Sequence, residues 1–346
     1  MNPMRPLLFS SSACGIAALF LAGCGGGGSS GPSNPNPTPA ATPSSTPSPT
    51  ATPIPGNPRI LLDDQFDGAA LDGGKWGTYS KDQTLQRTKF GFTPAIVSEG
   101  ATRFARMRLD SFNPDSVGSF KGTEIFSRQR FPRGNGLEMT ARLRAPGLPP
   151  GIIVAFFGIH DRYEGTPSDD TYRKDEIDYE ILTAQQEQFS PPNTRNRLYL
   201  NVWNDWNLRN QFDENDGEDG TNRLNDDKTY APAKAPGYDY ANWNIYTIRW
   251  YPDRTEFYLN GVLERTEREV RPDEDLSVHF NMWTGITDFR LAYSASLQPA
   301  NSAAANASYT FDVDYVVVRD LTGTSALSAL KLATPPAARF KSYRSR

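Results

Sequence analysis

Cysteine is almost absent from this chain of 346 residues, and both thiols, Cys14 and Cys24, precede residue 25. Everything downstream therefore folds without a disulfide and depends on core burial, which roughly 260 residues can supply. Histidine occurs only twice, as His160 and His279, and each is expected to have a packed or surface role and not a catalytic one. Long amphipathic helical windows are missing, which argues against a helical fold. No internal repeat is present. A basic patch with interleaved aromatics is also missing and the formal net charge is −4, so nucleic acid is excluded as a partner.

The two ends do not read as globular. Residues 1–23 carry one charge, Arg5, followed by an apolar stretch ending "LFLAGC". The stretch is too short for a membrane span and reads as a secretory signal. Leu21-Ala22-Gly23-Cys24 resembles a bacterial lipobox, in which cleavage precedes the cysteine and the cysteine is lipidated. Residues 25–57 are uncharged and rich in Gly, Ser, Thr and Pro. Such a segment cannot bury a core and acts as a linker averaging about 30 Å as a coil. Residues 322–346 contain five basic residues and no acid and read as a mobile tail.

Between the ends, short alternating segments recur, among them "RILLDDQFD", "GLEMTARLRAP", "GIIVAFFGIH", "RLYLNVW", "NIYTIRW", "TEFYLNG" and "YTFDVDYVVV". Turn residues such as Pro149-Pro150 and Asn260-Gly261 separate them. Many short strands with polar turns predict an all-β antiparallel sandwich or barrel. One connection, 205–243, is long and rich in Asp, Asn and Gly. Its "DENDGEDG" run puts Gly217 where an EF-hand loop needs a ligand, so it reads as a solvated loop.

The segment "KDEIDYEILT" places Glu176, Asp178 and Glu180 at every second position, with Ile177, Tyr179 and Ile181 around them. A period of two predicts a strand with all three acids on one face. Neighbouring like charges raise one another's pKa. The segment is thus either a solvated acidic face or a site that needs one carboxyl protonated and another ionised. Hydrolysis of a glycosidic bond with retention uses such a pair about 5–5.5 Å apart. Positions i and i+4 on a strand lie about 13 Å apart at Cα, so two Glu side chains would lean inward, with Asp178 between them. Aromatic residues stand on other predicted strands: Tyr199, Trp203, Trp206, Trp243, Trp250 and Trp283. Trp203 and Trp283 lie beside Asn201 and Asn281 in "LNVWND" and "FNMWTG", a pairing suited to the apolar face and hydroxyl rim of a sugar.

"DEIDYE" resembles the E-x-D-x-E signature of glycoside hydrolase family 16, in the form similar to lichenases and xyloglucan-active relatives. The segments 63–76, 124–157, 244–266 and 311–318 resemble that family's other strands in the same order. The resemblance implies a catalytic domain over 58–321, a jelly-roll sandwich of two curved antiparallel sheets with the acids in a concave cleft. It implies cleavage of internal β-glycosidic bonds of a polysaccharide, most simply a β-glucan, by double displacement. By position, Glu176 would be nucleophile, Asp178 the assisting acid and Glu180 the general acid/base. Asn201, Trp203 and Trp283 would contact sugar, the two Trp as walls of the cleft and not as core. No cofactor is needed for catalysis, and Asp314 would be a ligand of a structural calcium. A monomer, exported and lipid-anchored to the envelope with the outer membrane as its destination, is expected. The sequence departs from the pattern at Lys174, where relatives carry Trp, and at Phe126, where they often carry Arg. These departures bear on subsite specificity. Transfer to a sugar acceptor, or a catalytically silent carbohydrate-binding surface protein, are the alternative readings.

The anchor has a direct test. In Cys24→Ala the protein should leave the membrane fraction and become soluble, because no other segment supplies comparable apolar attachment. Unchanged membrane association after fractionation would remove the lipid anchor.

Overall fold

The period-two segments become seventeen strands in the computed structural model, which describes residues 58–79, 83–162, 173–184, 195–206, 230–287, 289 and 291–322. The leader with Cys24, the linker, the tail beyond Thr322 and the centre of the long connection, 207–229, lie outside the described residues. The early strands are β1 (Arg59–Asp64), β2 (Trp76–Thr78), β3 (Thr84–Leu85), β4 (Thr88–Phe92), β5 (Ala95–Glu99) and β6 (Thr102–Asp110). The middle of the chain forms β7 (Phe120–Phe131), β8 (Leu137–Arg144), β9 (Ile152–Arg162), β10 (Arg173–Leu182), β11 (Arg197–Trp206) and β12 (Tyr230–Pro232). The last are β13 (Asn244–Tyr251), β14 (Arg254–Leu259), β15 (Val262–Glu267), β16 (Leu276–Thr284) and β17 (Ser308–Asp320), and a 3-10 turn lies at Ala303–Ala305.

Pairing sorts the strands into two layers. One runs β5–β6–β17–β8–β13–β14–β15, with β1 added along β17. The other runs β7–β16–β9–β10–β11–β12, with β2 and β4 beside β7. A single pair, Asp110 with Lys121, links β6 to β7 where the layers meet. Among the described residues, all pairings are antiparallel except β4 with β7. This is the expected jelly-roll architecture, in which a curled sheet folds over itself.

Alternation decides which residues fill the space between the layers. From β10 and β11 come Ile177, Tyr179, Ile181, Leu198, Leu200 and Val202, all buried in one cluster with Met139, Ala141, Tyr246, Ile248, Phe257 and Val316 of the opposite layer. Tyr179 ties the layers most specifically. Its ring meets Tyr246 and Phe257 edge-on at 5.3 Å, and its hydroxyl donates to the Tyr258 carbonyl at 2.8 Å. Strand β10 is also held at its ends. Asp175, on the core side, accepts the backbone N–H groups of Asp273 and Glu274 at 2.9 and 3.1 Å. Thr183, just past the strand, donates to the Ile152 carbonyl at 2.7 Å. With the odd-numbered residues so fixed, the even-numbered ones must face outward.

Candidate active site

Strand β10 lies between β9 and β11, and its outward face carries Lys174, Glu176, Asp178, Glu180 and Leu182 in a row. Opposite them on β9 stand Ile159, Phe157, Ala155 and Ile153 at the levels of Glu176, Asp178, Glu180 and Leu182. On β11, Trp203 stands opposite Glu176, Asn201 opposite Asp178 and Tyr199 opposite Glu180. The ladder is irregular between Lys174 and Glu176, because Lys174 pairs with Trp206 and Glu176 with Trp203. Three residues of β11 therefore span what two span on β10, a bulge that re-aims the side chains next to the acids.

The three acids have different environments. Asp178 is 5% exposed. Burial, then the Glu176 and Glu180 charges, push its pKa well above the usual carboxylate range, and a hydrogen bond to Glu176 adds to the effect. Glu180 is half-buried at the sheet surface. Its pKa is pushed up to about 8, by burial first and by the Glu176 charge second, with Lys174 opposing. Glu176 forms an ion pair with the Lys174 ammonium. The row thus combines one carboxyl in an ion pair with two whose pKa values are raised above the usual carboxylate range.

A second polar group occupies the same face on β7 and β16. His279 is 4% exposed, with its ring 4.9 Å from Phe157 and 5.6 Å from Phe126. Its Nδ1 lies 2.9 Å from Glu124 Oε1 and its Nε2 lies 2.8 Å from Ser277 Oγ. His279 is packed, as expected of it. Asn281 is buried and donates to Glu124 Oε2 at 3.4 Å. Its Oδ1 has no hydrogen-bond partner among the described residues. Asn281 stands opposite Ala155, which stands opposite Glu180, so only a methyl side chain separates this spare acceptor from the acid row. An acceptor so placed suits a hydroxyl-bearing ligand. Asn281 enters the sequence reading only as the neighbour of Trp283, and Glu124 does not enter it. Their signal was the alternation Ser277-His279-Asn281, which repeats on β16 the pattern of polar residues on one face that marks β10.

The other expected site residues fare differently. Asn201 is buried beside Asp178, and its Oδ1 accepts the Val202 N–H at 3.0 Å. Trp203 presents its ring to the Lys174 ammonium at 4.6 Å from the centroid. Trp283 shares the acid-bearing face but is 6% exposed, within an apolar cluster of Phe90, Ile153, Leu182, Tyr199 and Ala292. Side chains from β4, β9, β10 and β11 pack around it, so little of the ring is open to solvent. Of the remaining aromatics, Trp250 is in the main core, and Trp243 takes the Arg142 and Arg144 guanidinium groups at 4.9 and 4.5 Å, remote from the acids.

Asp314 belongs to the other layer. Its Oδ2 accepts from Arg142 Nη1 at 2.6 Å. Among the described residues, the one group of three or more ligating side chains is His160, Glu274 and Asp275, which does not include Asp314. Asp314 is thus an ion-pair partner of Arg142 in this layer.

Comparison with known proteins bears on the family and the fold. Residues 85–317 match the sequence model of the glycosyl hydrolases family 16. No curated protein matches the sequence. Among solved structures, a prokaryotic β-1,3-1,4-glucanase (lichenase) from a mouse hindgut metagenome superposes with a TM-score of 0.52 at 18% identity, covering 75% of this chain and 98% of that one. The Bacillus licheniformis β-glucanase gives 0.52 at 17% identity, with 75% and 97% covered. The catalytic domain of an endo-1,3-β-glucanase (laminarinase) from Thermotoga petrophila gives 0.52 at 12%, with 76% and 98% covered. At these identities the superpositions show a shared fold.

Two outcomes are expected. A carboxyl whose folded pKa is raised contributes stability that is intact below the ordinary carboxylate range and is lost as pH rises through the folded value. Glu180→Gln, which cannot ionise, should match the wild type near pH 4 and become more stable than it as pH rises, by roughly 2–4 kcal/mol at pH 8. Urea melts across that range would show it, and parallel curves would mean that Glu180 is not held protonated. Trp283→Ala should cost about 3–5 kcal/mol of stability, as for a buried Trp. A melting temperature close to wild type would restore the ring to a ligand-facing role.

Proposed function

Because the chain belongs to the glycosyl hydrolases family 16 and is a glycoside hydrolase, we propose that it cleaves internal β-glycosidic bonds of a polysaccharide, a β-glucan, with retention of configuration. The observation that carries this reading is the unequal row of acids: Glu176 paired with an ammonium, and Glu180 in the same row with its pKa raised to about 8. That the superposed structures include a lichenase and a laminarinase supports a β-glucan as substrate class.

In the first step a Glu176 oxygen attacks the anomeric carbon. The glycosidic C–O bond breaks, and Glu180 gives its proton to the departing oxygen. Asp178, protonated and hydrogen-bonded to Glu176, holds the nucleophile in orientation. In the second step Glu180, now a carboxylate, takes a proton from water. The water oxygen attacks the same carbon, the glycosyl ester breaks, and Glu176 leaves as a carboxylate. Two inversions give net retention. Asn201 and the Asn281 acceptor, which has no partner among the described residues, bond sugar hydroxyls on either side of the row in this reading. Export as a lipoprotein through Cys24, with residues 24–57 as tether, places the enzyme at the cell envelope as a monomer.

Glu176→Ala should abolish hydrolysis of mixed-linkage β-1,3-1,4-glucan while the fold is kept. With an activated aryl glycoside and azide it should give a glycosyl azide of inverted configuration, since the anion attacks from the vacated side. Glu180→Ala should retain glycosylation by the activated substrate, which needs little proton donation, and azide should give the retained configuration. NMR of the anomeric proton separates the two products. Reversed outcomes would exchange the two roles, and wild-type rates in both variants would reduce the row to an acidic face. Transfer to added oligosaccharide in place of water would identify a transglycosylase.

A further inference from the structure

Lys174 is the one cation in the acid row among the described side chains, and three observations converge on it. It makes an ion pair with Glu176. Its ammonium lies over the Trp203 ring at 4.6 Å. Its side chain is only 18% exposed, close to the 15% of Glu176, so water screens the pair poorly. The β11 bulge is what sets Trp203 opposite Glu176, while the backbone partner of Lys174 is Trp206. The indole face that would serve a sugar ring is thereby turned to an ammonium, an arrangement attractive through the ring quadrupole.

We propose that Lys174 is a positioning residue: its ammonium, held between the Glu176 carboxylate and the face of Trp203, fixes Glu176 and offsets its charge toward the other two acids. This rests on the roles assigned above to Glu176 and Glu180. The groups facing Glu176 are Lys174, Asp178 and Glu180 on its own strand, with uncharged Ile159 on β9 and Trp203 on β11. Those facing Glu180 are Glu176 and Asp178, with uncharged Ala155 on β9, Asn281 beyond it on β16, and Tyr199 on β11. No other described side chain in either set can supply the compensating charge. Lys174 opposes the upward shift of both Asp178 and Glu180. Without it, the charge on Glu176 acts on Glu180 uncompensated, and Glu180 holds its proton to higher pH. Trp203 then works through Lys174, as the rest against which the ammonium is held.

The test uses Lys174→Met and Lys174→Arg in the full chain, with carboxyl titration followed by carbon-13 NMR. In Lys174→Met the Glu180 midpoint should rise by roughly half a unit or more, and the alkaline limb of kcat/KM on mixed-linkage β-1,3-1,4-glucan should move with it. Lys174→Arg, which keeps the charge, should restore both. Trp203→Leu should shift the midpoint in the same direction by less, and it keeps the test open should Lys174→Met not fold. An unmoved midpoint in the folded variants overturns the proposal, as does an equal displacement in Lys174→Arg, which would make the effect steric. Titration reports on the ion pair whatever reaction is catalysed. If Glu176→Ala and Glu180→Ala keep full activity while the midpoint moves, only the functional reading fails. If the acids prove essential and the midpoint does not move, only the role of Lys174 fails.

Discussion

Three carboxyl groups can share one face of β10 only because the opposite face of the strand is held down more strongly than they repel. Two ionised carboxylates on alternate residues, about 6–7 Å apart, repel by roughly 2–3 kcal/mol at an effective dielectric near 20. Burying Ile177, Tyr179 and Ile181 stabilises by about 1.5–3 kcal/mol for each side chain. The Tyr179 hydroxyl on the Tyr258 carbonyl and the Asp175 carboxylate on two backbone N–H groups add directional restraint. The terms are close in size, so the strand cannot carry three full charges at little cost. The system answers by protonation, with Asp178 and Glu180 both raised, and by a cation on the third acid. Unequal protonation of like residues relieves the repulsion.

Placement in the sheet decides which acid takes which state. Asp178 sits between Phe157 on β9 and Asn201 on β11 and is nearly closed to water. Glu176 stands at the level where the β11 bulge brings in Trp203 and where Lys174 reaches it. Glu180 lies beside Ala155, whose small side chain leaves room toward Asn281. Away from this face, strong charge appears as closed ion pairs. On β17, Asp312 takes Arg106 and Arg144 at 2.7 and 2.9 Å, and Asp314 takes Arg142 at 2.6 Å. Those pairs saturate their acids, whereas the β10 row has one cation for three.

Periodicity was sufficient to read much of this. Alternation in "KDEIDYEILT" put the three acids together on a strand, and recurrence of short alternating segments put that strand in a sandwich. Side-chain period is a local property of the backbone, and a half-buried strand enforces it. Aromatic identity was a poorer guide, because a ring serves a core and a ligand wall equally well. Trp250 and Trp283 pack in apolar clusters, Trp243 stacks on arginines, and Trp203 rests against an ammonium. Asp314 shows the same limit for charge. Its place in the last long strand was legible, but the partner that occupies it, Arg142, comes from β8, 172 positions away in sequence.

Residue order alone established the class of fold, the family and the face on which the acids lie, since each follows from spacing of two along a strand or from a run of ordered segments. Tertiary structure alone decided the protonation states, the ion pair of Lys174 and the burial of Trp283. Those depend on which strands become neighbours, where a bulge shifts the register and how much water is excluded. All three are set by long-range pairing, and the pKa of a carboxyl responds to the charges and solvent around it, not to its neighbours in the chain.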